Sequence, residues 1–343
     1  MAKMIDVAKS AGVSIKTVSR VLNNEPHVRE AIRQKVLVAV KELNYIPSAS
    51  ARHLRSKRTY TIHIISHTIN SNFLNAIQSG ALLTSQKKGY RLILSLLEIK
   101  HLEDKEYVIN WCKSLTQKNR PDGVILVPPY SNNETINDAL LNAKIPIVRI
   151  GPNSIEDDNI TILIEDKYAA KDAVNHLIQG GHKRIAIVKG QEDQQATHER
   201  LKGYKAALTN ANIPIDDSLI FAGAFNFSSG MEAGDKILDM ANPPTAVFAA
   251  NDDMAAGILV SALKRDVRVP ENLSIVGFDD SELAEKIWPQ LTTVRQPFVK
   301  FGERAVEILI DIAGNKNLKP ENTDKIRRLD YDIIIRNSTS PLL

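Results

Sequence analysis

The chain has 343 residues, of which 43% are hydrophobic and 24% charged, with one cysteine and a net charge of +4. That length allows two or three domains, no apolar run is long enough to span a bilayer, and a lone Cys112 excludes a disulfide framework within the chain and fits a reducing compartment. Residues 1–60 hold twelve Lys and Arg against four Asp and Glu, so the remainder carries net −4; a basic arm on an acidic body is the footprint of a nucleic-acid binder with a second module, unless the arm is only a solubilising tail. At the N-terminus, Asp6, Lys9 and Ser10 stand where a signal peptide needs an apolar core, so a cytoplasmic protein is expected. Cys112 follows Trp111 in a helical pattern and reads as a buried, inert thiol.

Residues 4–23 predict two short helices around a tight turn. Met4, Val7, Ala8 and Ala11 recur at helical spacing, Gly12 suits the positive φ that ends a helix, and Ser14 can cap the next one. At about 100° per residue, Val18, Val21 and Leu22 share one face. Lys16, Ser19, Arg20 and Asn23 share the opposite face, which suits the reading of a major groove. A helical hairpin with a solvated charged face is the plainer alternative. Residues 30–43 predict a third helix, with Asn44 at its end and Pro47 blocking continuation. The segment 47–59 is too short and polar to fold alone, yet Ala49, Ala51 and Leu54 favour helix.

From Thr61 the pattern changes to alternating strands and helices, first over 62–150 and again over 160–277. Such a series implies parallel sheets with helices on both faces. Two of them in tandem make two lobes, with a cleft between their strand ends where doubly wound folds bind ligands.

The residues Asp6-Val7-Ala8, Ala11-Gly12-Val13-Ser14 and Thr17-Val18-Ser19-Arg20-Val21-Leu22-Asn23, then Glu42-Leu43-Asn44-Tyr45 and Pro47, resemble the headpiece of the lactose-repressor/galactose-repressor (LacI/GalR) family of bacterial transcription regulators. The resemblance continues along nearly the whole chain. It implies an all-α helix-turn-helix headpiece over 1–46 and a hinge over 47–60. An α/β, two-lobed domain like the periplasmic binding proteins, with two parallel doubly wound sheets, then covers 61–343. The first lobe is expected at about 61–159 and 297–323, the second at about 160–296 and 324–343, with three crossings. Lys3 and Arg29 replace the family's usual Ser or Thr caps, each worth about 1 kcal/mol, so a fraying headpiece is expected. The expected DNA contacts are Ser14, Ile15, Lys16, Thr17, Ser19, Arg20 and Asn23, joined by Arg52, Leu54 and Arg55 of the hinge. By resemblance the hinge orders on DNA and wedges Leu54 into the minor groove, while its cations neutralise phosphates.

Cleft candidates lie just after strands or early on the helices that follow: Phe73, Arg200, Phe225, Asn251, Asp252 and Asp279. Aromatic faces, guanidinium donors and carboxylate or amide acceptors together match a sugar, although each residue alone also fits a core, capping or surface role. In the family, effector contacts fall on Phe73, Arg200, Phe225, Asn251 and Asp279, and Thr197 stands near a position that often bears a small hydroxyl. His67, Asn70, Ser71 and Asn72 replace a common Asp…Ser-Asn-Pro run, and Gln194 stands where the purine-responsive member has Arg; both departures argue against a purine.

No catalytic constellation, metal site or cofactor motif is found. An NAD enzyme would need a Gly-x-Gly-x-x-Gly run after Ile62–Ile65, which is missing. The other alternative, a periplasmic solute-binding protein, conflicts with the basic headpiece and the missing signal peptide. The expected function is sequence-specific regulation of transcription, chiefly repression of carbohydrate-utilisation genes. A dimer would act on a pseudo-palindromic operator of roughly 14 to 20 base pairs and respond to a saccharide. The chain ends soon after its last strand without a heptad tail, so a dimer is expected rather than a tetramer.

Overall fold

The structure, a computed structural model, describes residues 2–22, 26, 28–45, 58–66, 72–153, 159–314 and 326–342. The chain forms two compact units, 1–59 and 60–343.

The first unit holds α1 (Met4–Ser10), α2 (Ile15–Leu22) and α3 (Glu30–Glu42). Gly12 takes φ +64°, where a side chain would be strained, and the turn closes with the amides of Gly12 and Val13 donating to the carbonyls of Lys9 and Ala8. Ser14 caps α2, its Oγ accepting from the Thr17 amide at 3.1 Å. Asn44 ends α3 at φ +44°, with its own amide and that of Tyr45 donating to Lys41 and Val40. Neither Lys3 nor Arg29 caps with its side chain. At α1 the Lys3 amide instead donates to Asp6 Oδ2 at 2.7 Å, which satisfies one of the orphan groups there. Val7, Val18, Val21, Val36, Ala39 and Tyr45 form the core between the helices.

The second unit is built on two six-stranded sheets. In chain order its elements are β1 (Thr61–Ser66), α4 (Asn72–Lys87), β2 (Arg91–Leu96), α5 (Lys105–Asn119), β3 (Gly123–Leu126), α6 (Glu134–Asn142), β4 (Ile147–Ile150) and β5 (Ile160–Leu163). Then come α7 (Asp166–Gln179), β6 (Ile185–Val188), α8 (Gln195–Asn210), β7 (Ile220–Phe221), α9 (Phe227–Leu238), β8 (Ala246–Ala249), α10 (Asp252–Lys264) and β9 (Ser274–Asp279). The last are α11 (Glu282–Lys286), β10 (Thr292–Arg295), α12 (Phe298–Gly314), β11 (Ile326–Arg328) and β12 (Asp332–Ile334). The first sheet has the order β11-β5-β4-β3-β1-β2, the second β12-β10-β9-β8-β6-β7. All pairings are parallel except β10 with β12. Helices on both faces explain why all six residues of β1 are buried.

The lobe boundaries differ from those expected. Ile160–Leu163 does not open the second lobe: it pairs with β4 in the first sheet, Val148 opposite Ile160. Ile326–Arg328, expected in the second lobe, pairs with β5 in the first. The crossings therefore follow β5, β10 and β11. The reason is local. No helix separates β4 from β5, so β5 looks like the restart of a series. The short strands β7, β10 and β11 do not show enough residues for a period to be read. Cys112 is buried, and burial pushes its thiol up to about 11.

Candidate functional site

Two regions gather the residues singled out by sequence. On α2, Lys16 and Arg20 are exposed, and so is Ile15. Thr17 is half-buried, and its hydroxyl lies 2.9 Å from that of Ser14 at the helix start. Ser19 is a correction: it is 3% exposed and does not belong to the open face. It stands at the edge of the polar side, about 60° from Leu22 on the helical wheel, so the packing that covers Leu22 reaches it. Asn23, Arg52, Leu54 and Arg55 lie outside the described residues, as do His67, Asn70 and Ser71.

The second region sits at the carboxyl ends of the strands of the second sheet. Arg200, on the second turn of α8, is 6% exposed. Its Nε donates to Asp166 Oδ1 at 2.7 Å and one terminal nitrogen donates to the carbonyl of Ala250, just past β8. Its guanidinium carbon lies 3.7 Å from the centroid of Phe278 and 5.8 Å from that of Phe225. Phe225 holds φ +55°, and its ring packs where a Cβ on Gly190 would stand 2.0 Å away, so only glycine fits there. Asn251 caps α10, its Oδ1 accepting from the Met254 amide at 3.0 Å, while its Nδ2 donates to the Phe225 carbonyl at 3.0 Å. One amide thus fixes both the helix start and the backbone of the aromatic residue.

Asp279 ends β9 at φ +118°, a conformation costing a non-glycine residue about 1–3 kcal/mol and characteristic of functional positions. Gln296 Nε2 donates to its Oδ1 at 2.7 Å. Burial pushes the Asp279 carboxyl up, while Arg200 and the Gln296 hydrogen bond hold it down. Asp252 plays a different part from the one expected. It is 1% exposed, with Oδ1 accepting from the Thr293 hydroxyl at 2.6 Å and Oδ2 from the Ser281 amide at 2.7 Å. Both oxygens tie α10 to β10 and the loop after β9, and burial, then the charge of Asp279, pushes this carboxyl up. Thr197 is buried, and its hydroxyl has no hydrogen-bond partner among the described residues. Phe73 is half-buried, meeting Phe298 edge to face with centroids 5.0 Å apart, so part of its ring serves the core of the first lobe. Among the described residues no cluster of three His, Cys, Asp or Glu is placed to hold a metal ion.

Four participants were not singled out by sequence. Asp166 and Gln296 both follow strands, so the rule that found Asp279 applies to them equally. Phe278 was read only as part of its strand. Asn153 ties the lobes: its backbone amide donates to Asn132 Oδ1 at 2.6 Å within the first lobe, its Nδ2 donates to the Asp193 carbonyl at 2.7 Å and its Oδ1 accepts from the Gln195 amide at 2.7 Å. Nothing in a single Asn of a loop announces such a bond.

A three-helix unit with a capped helix-turn-helix, followed by a two-lobed domain with polar and aromatic groups at its strand ends, defines a DNA-binding protein with a ligand-binding module. Residues 3–48 match the model of the bacterial regulatory proteins of the lacI family, and residues 174–339 match a periplasmic binding protein-like domain. The chain is 36% identical over 338 residues to catabolite control protein A of Priestia megaterium, covering 97% of this chain and 98% of that protein. It is 34% identical over 341 residues to the HTH-type transcriptional repressor CytR of Escherichia coli strain K12, covering 99% and 97%. Among solved structures it is similar to the complex of the transcriptional regulator CelR with cellobiose, with a TM-score of 0.71, 30% identity and coverage of 98% and 100%. It is also similar to the lac repressor dimer bound to operator and the anti-inducer ONPF, with a TM-score of 0.77, 27% identity and coverage of 99% of both chains. The chain belongs to the LacI/GalR family of bacterial transcription regulators.

Proposed function

We propose that this regulator is a homodimeric, cytoplasmic repressor of carbohydrate-utilisation genes, released from or recruited to a pseudo-palindromic operator by a small saccharide held between its lobes. The observation that carries the effector reading is the stack of Arg200 on Phe278 beside the strained Asp279. A guanidinium edge donates to ring oxygens, a carboxylate accepts from hydroxyls, and the half-buried ring of Phe225 can cover the apolar side of a sugar. The buried hydroxyl of Thr197, one turn before Arg200, adds a polar group awaiting a partner. The cellobiose bound to CelR supports the same class of ligand.

In this reading two headpieces read two half-sites, with Lys16 and Arg20 facing guanine edges. The hinge of residues 47–60 orders in the minor groove with Leu54 as wedge and Arg52 and Arg55 against phosphates. The effector favours one arrangement of the lobes and thereby changes operator affinity by a coupling of about 1–3 kcal/mol. The deciding experiment measures binding of the purified protein to the DNA upstream of its own gene, with and without a panel of sugars. A sugar that changes the affinity is the expected outcome; nucleobases acting while every sugar fails would refute the saccharide.

A further inference from the structure

An arginine at the heart of a small-molecule site is ordinarily a receptor for phosphate or carboxylate, because its planar fork matches two anionic oxygens. Arg200 is differently placed. Its Nε is taken by Asp166 at 2.7 Å, one terminal nitrogen by the Ala250 carbonyl, and one face of the guanidinium by Phe278. The charge of the cation is therefore met inside the protein before any ligand arrives. Asp279 follows Phe278 directly on β9, next to the ring that Arg200 covers; burial pushes its carboxyl up, Arg200 pulls it down and Asp166 pushes it up. A second cation in the neighbourhood is likewise occupied, with Arg336 2.7 Å from Asp280.

We propose that Asp166 sets the charge selectivity of the cleft: by neutralising Arg200 it admits an uncharged polyhydroxylated effector and rejects phosphate esters and carboxylates of the same size. The inference rests on the effector reading above. A hydroxyl can accept from the remaining Arg200 donors and donate to Asp279 at once. A phosphate in that place would have to displace Asp166 or lie between two carboxylates, and like charges brought together away from bulk water are strongly disfavoured. The fold holds Asp166 in position. It opens α7 directly after β5, where the chain leaves the first sheet, and α7 packs along α8, which carries Arg200.

The test uses inorganic phosphate against chloride at equal ionic strength, read as a thermal shift, and so does not depend on knowing the effector. Asp166→Asn frees Arg200 and should acquire a phosphate-specific rise in melting temperature. The wild type, Arg200→Gln, and the double variant should show none. A rise in the wild type that Arg200→Gln abolishes would overturn the proposal, and so would a folded Asp166→Asn with no rise. If Asp166→Asn does not fold, the comparison of wild type with Arg200→Gln still decides. A second arm titrates the wild type with sugars and their phosphate esters, and with nucleosides and their monophosphates. Within any pair that binds, the uncharged member should bind at least about tenfold more tightly; an ester binding as well as its parent would refute charge selectivity. Nucleosides binding while all sugars fail would refute the saccharide reading alone.

Discussion

The guanidinium of Arg200 lies flat enough on Phe278 to bring its carbon within 3.7 Å of the ring centroid, while Asp166 holds its edge at 2.7 Å. A cation over an aromatic face contributes roughly 0.5–2 kcal/mol. Phe278→Leu should therefore keep the ion pair yet weaken effector binding by about fivefold. Arg200→Ala and Asp279→Ala should abolish the effector response and leave operator binding near normal. Calorimetry with the effector and gel shifts with operator DNA separate the two readouts. Loss of DNA binding along with effector binding would show that these side chains support the fold instead.

Asn153 joins the lobes through Asp193 and Gln195. Each such hydrogen bond contributes about 0.5–1.5 kcal/mol net. Asn153→Ala should loosen the contact between the lobes, weaken effector binding, and alter operator affinity in the absence of effector. Small-angle scattering should report a more open free protein. Unchanged scattering and unchanged effector affinity would mean that the two side-chain bonds merely order a loop.

Lys16 and Ser19 lie three residues apart on the same helix but differ in exposure, Lys16 open and Ser19 buried. Lys16→Ala should cost about 1–3 kcal/mol on the best operator and relax the preference at one base pair of each half-site. Ser19→Ala should change headpiece stability without altering the preference profile. Selection from randomised operators checks both, and an unchanged profile for Lys16→Ala would make Lys16 a phosphate contact.

Leu54 is proposed as a minor-groove wedge. Leu54→Ala should lower specific affinity and reduce the bend in the operator, while non-specific binding, carried by Lys and Arg, hardly changes. Equal losses on specific and random DNA would show that the side chain only supports the linker.

His63, buried in β1 with Nδ1 2.8 Å from the Ser95 hydroxyl, has its pKa pushed down by burial to about 4 from an ordinary 6.5. Between those values the unfolded chain binds the extra proton. Stability is therefore lost as the pH falls from 6.5 toward 4, by up to about 3 kcal/mol from this group. His63→Gln should flatten that part of the acid limb. Urea midpoints at pH 7 and pH 4.5 provide the comparison; parallel losses in the two proteins would exonerate His63.

Local chemistry was legible in the sequence. The turn at Gly12, the cap at Ser14 and the end of α3 at Asn44 each depend on one residue's backbone freedom or side-chain oxygen. The alternation of strands and helices likewise indicates two parallel sheets, and the positions after strands bring Arg200, Asn251 and Asp279 into view. Tertiary structure alone decided which strand belongs to which sheet, because the pairing of β5 with β4 and β11 depends on partners rather than on its own pattern. It also covered Ser19, turned Asp252 inward to Thr293 and Ser281, and left Phe73 shared with the core. Above all it set Asp166 against Arg200, 34 residues further along the chain. The charge of a site is a sum over neighbours in space, and neighbours so far apart in sequence meet only when the fold brings their helices together.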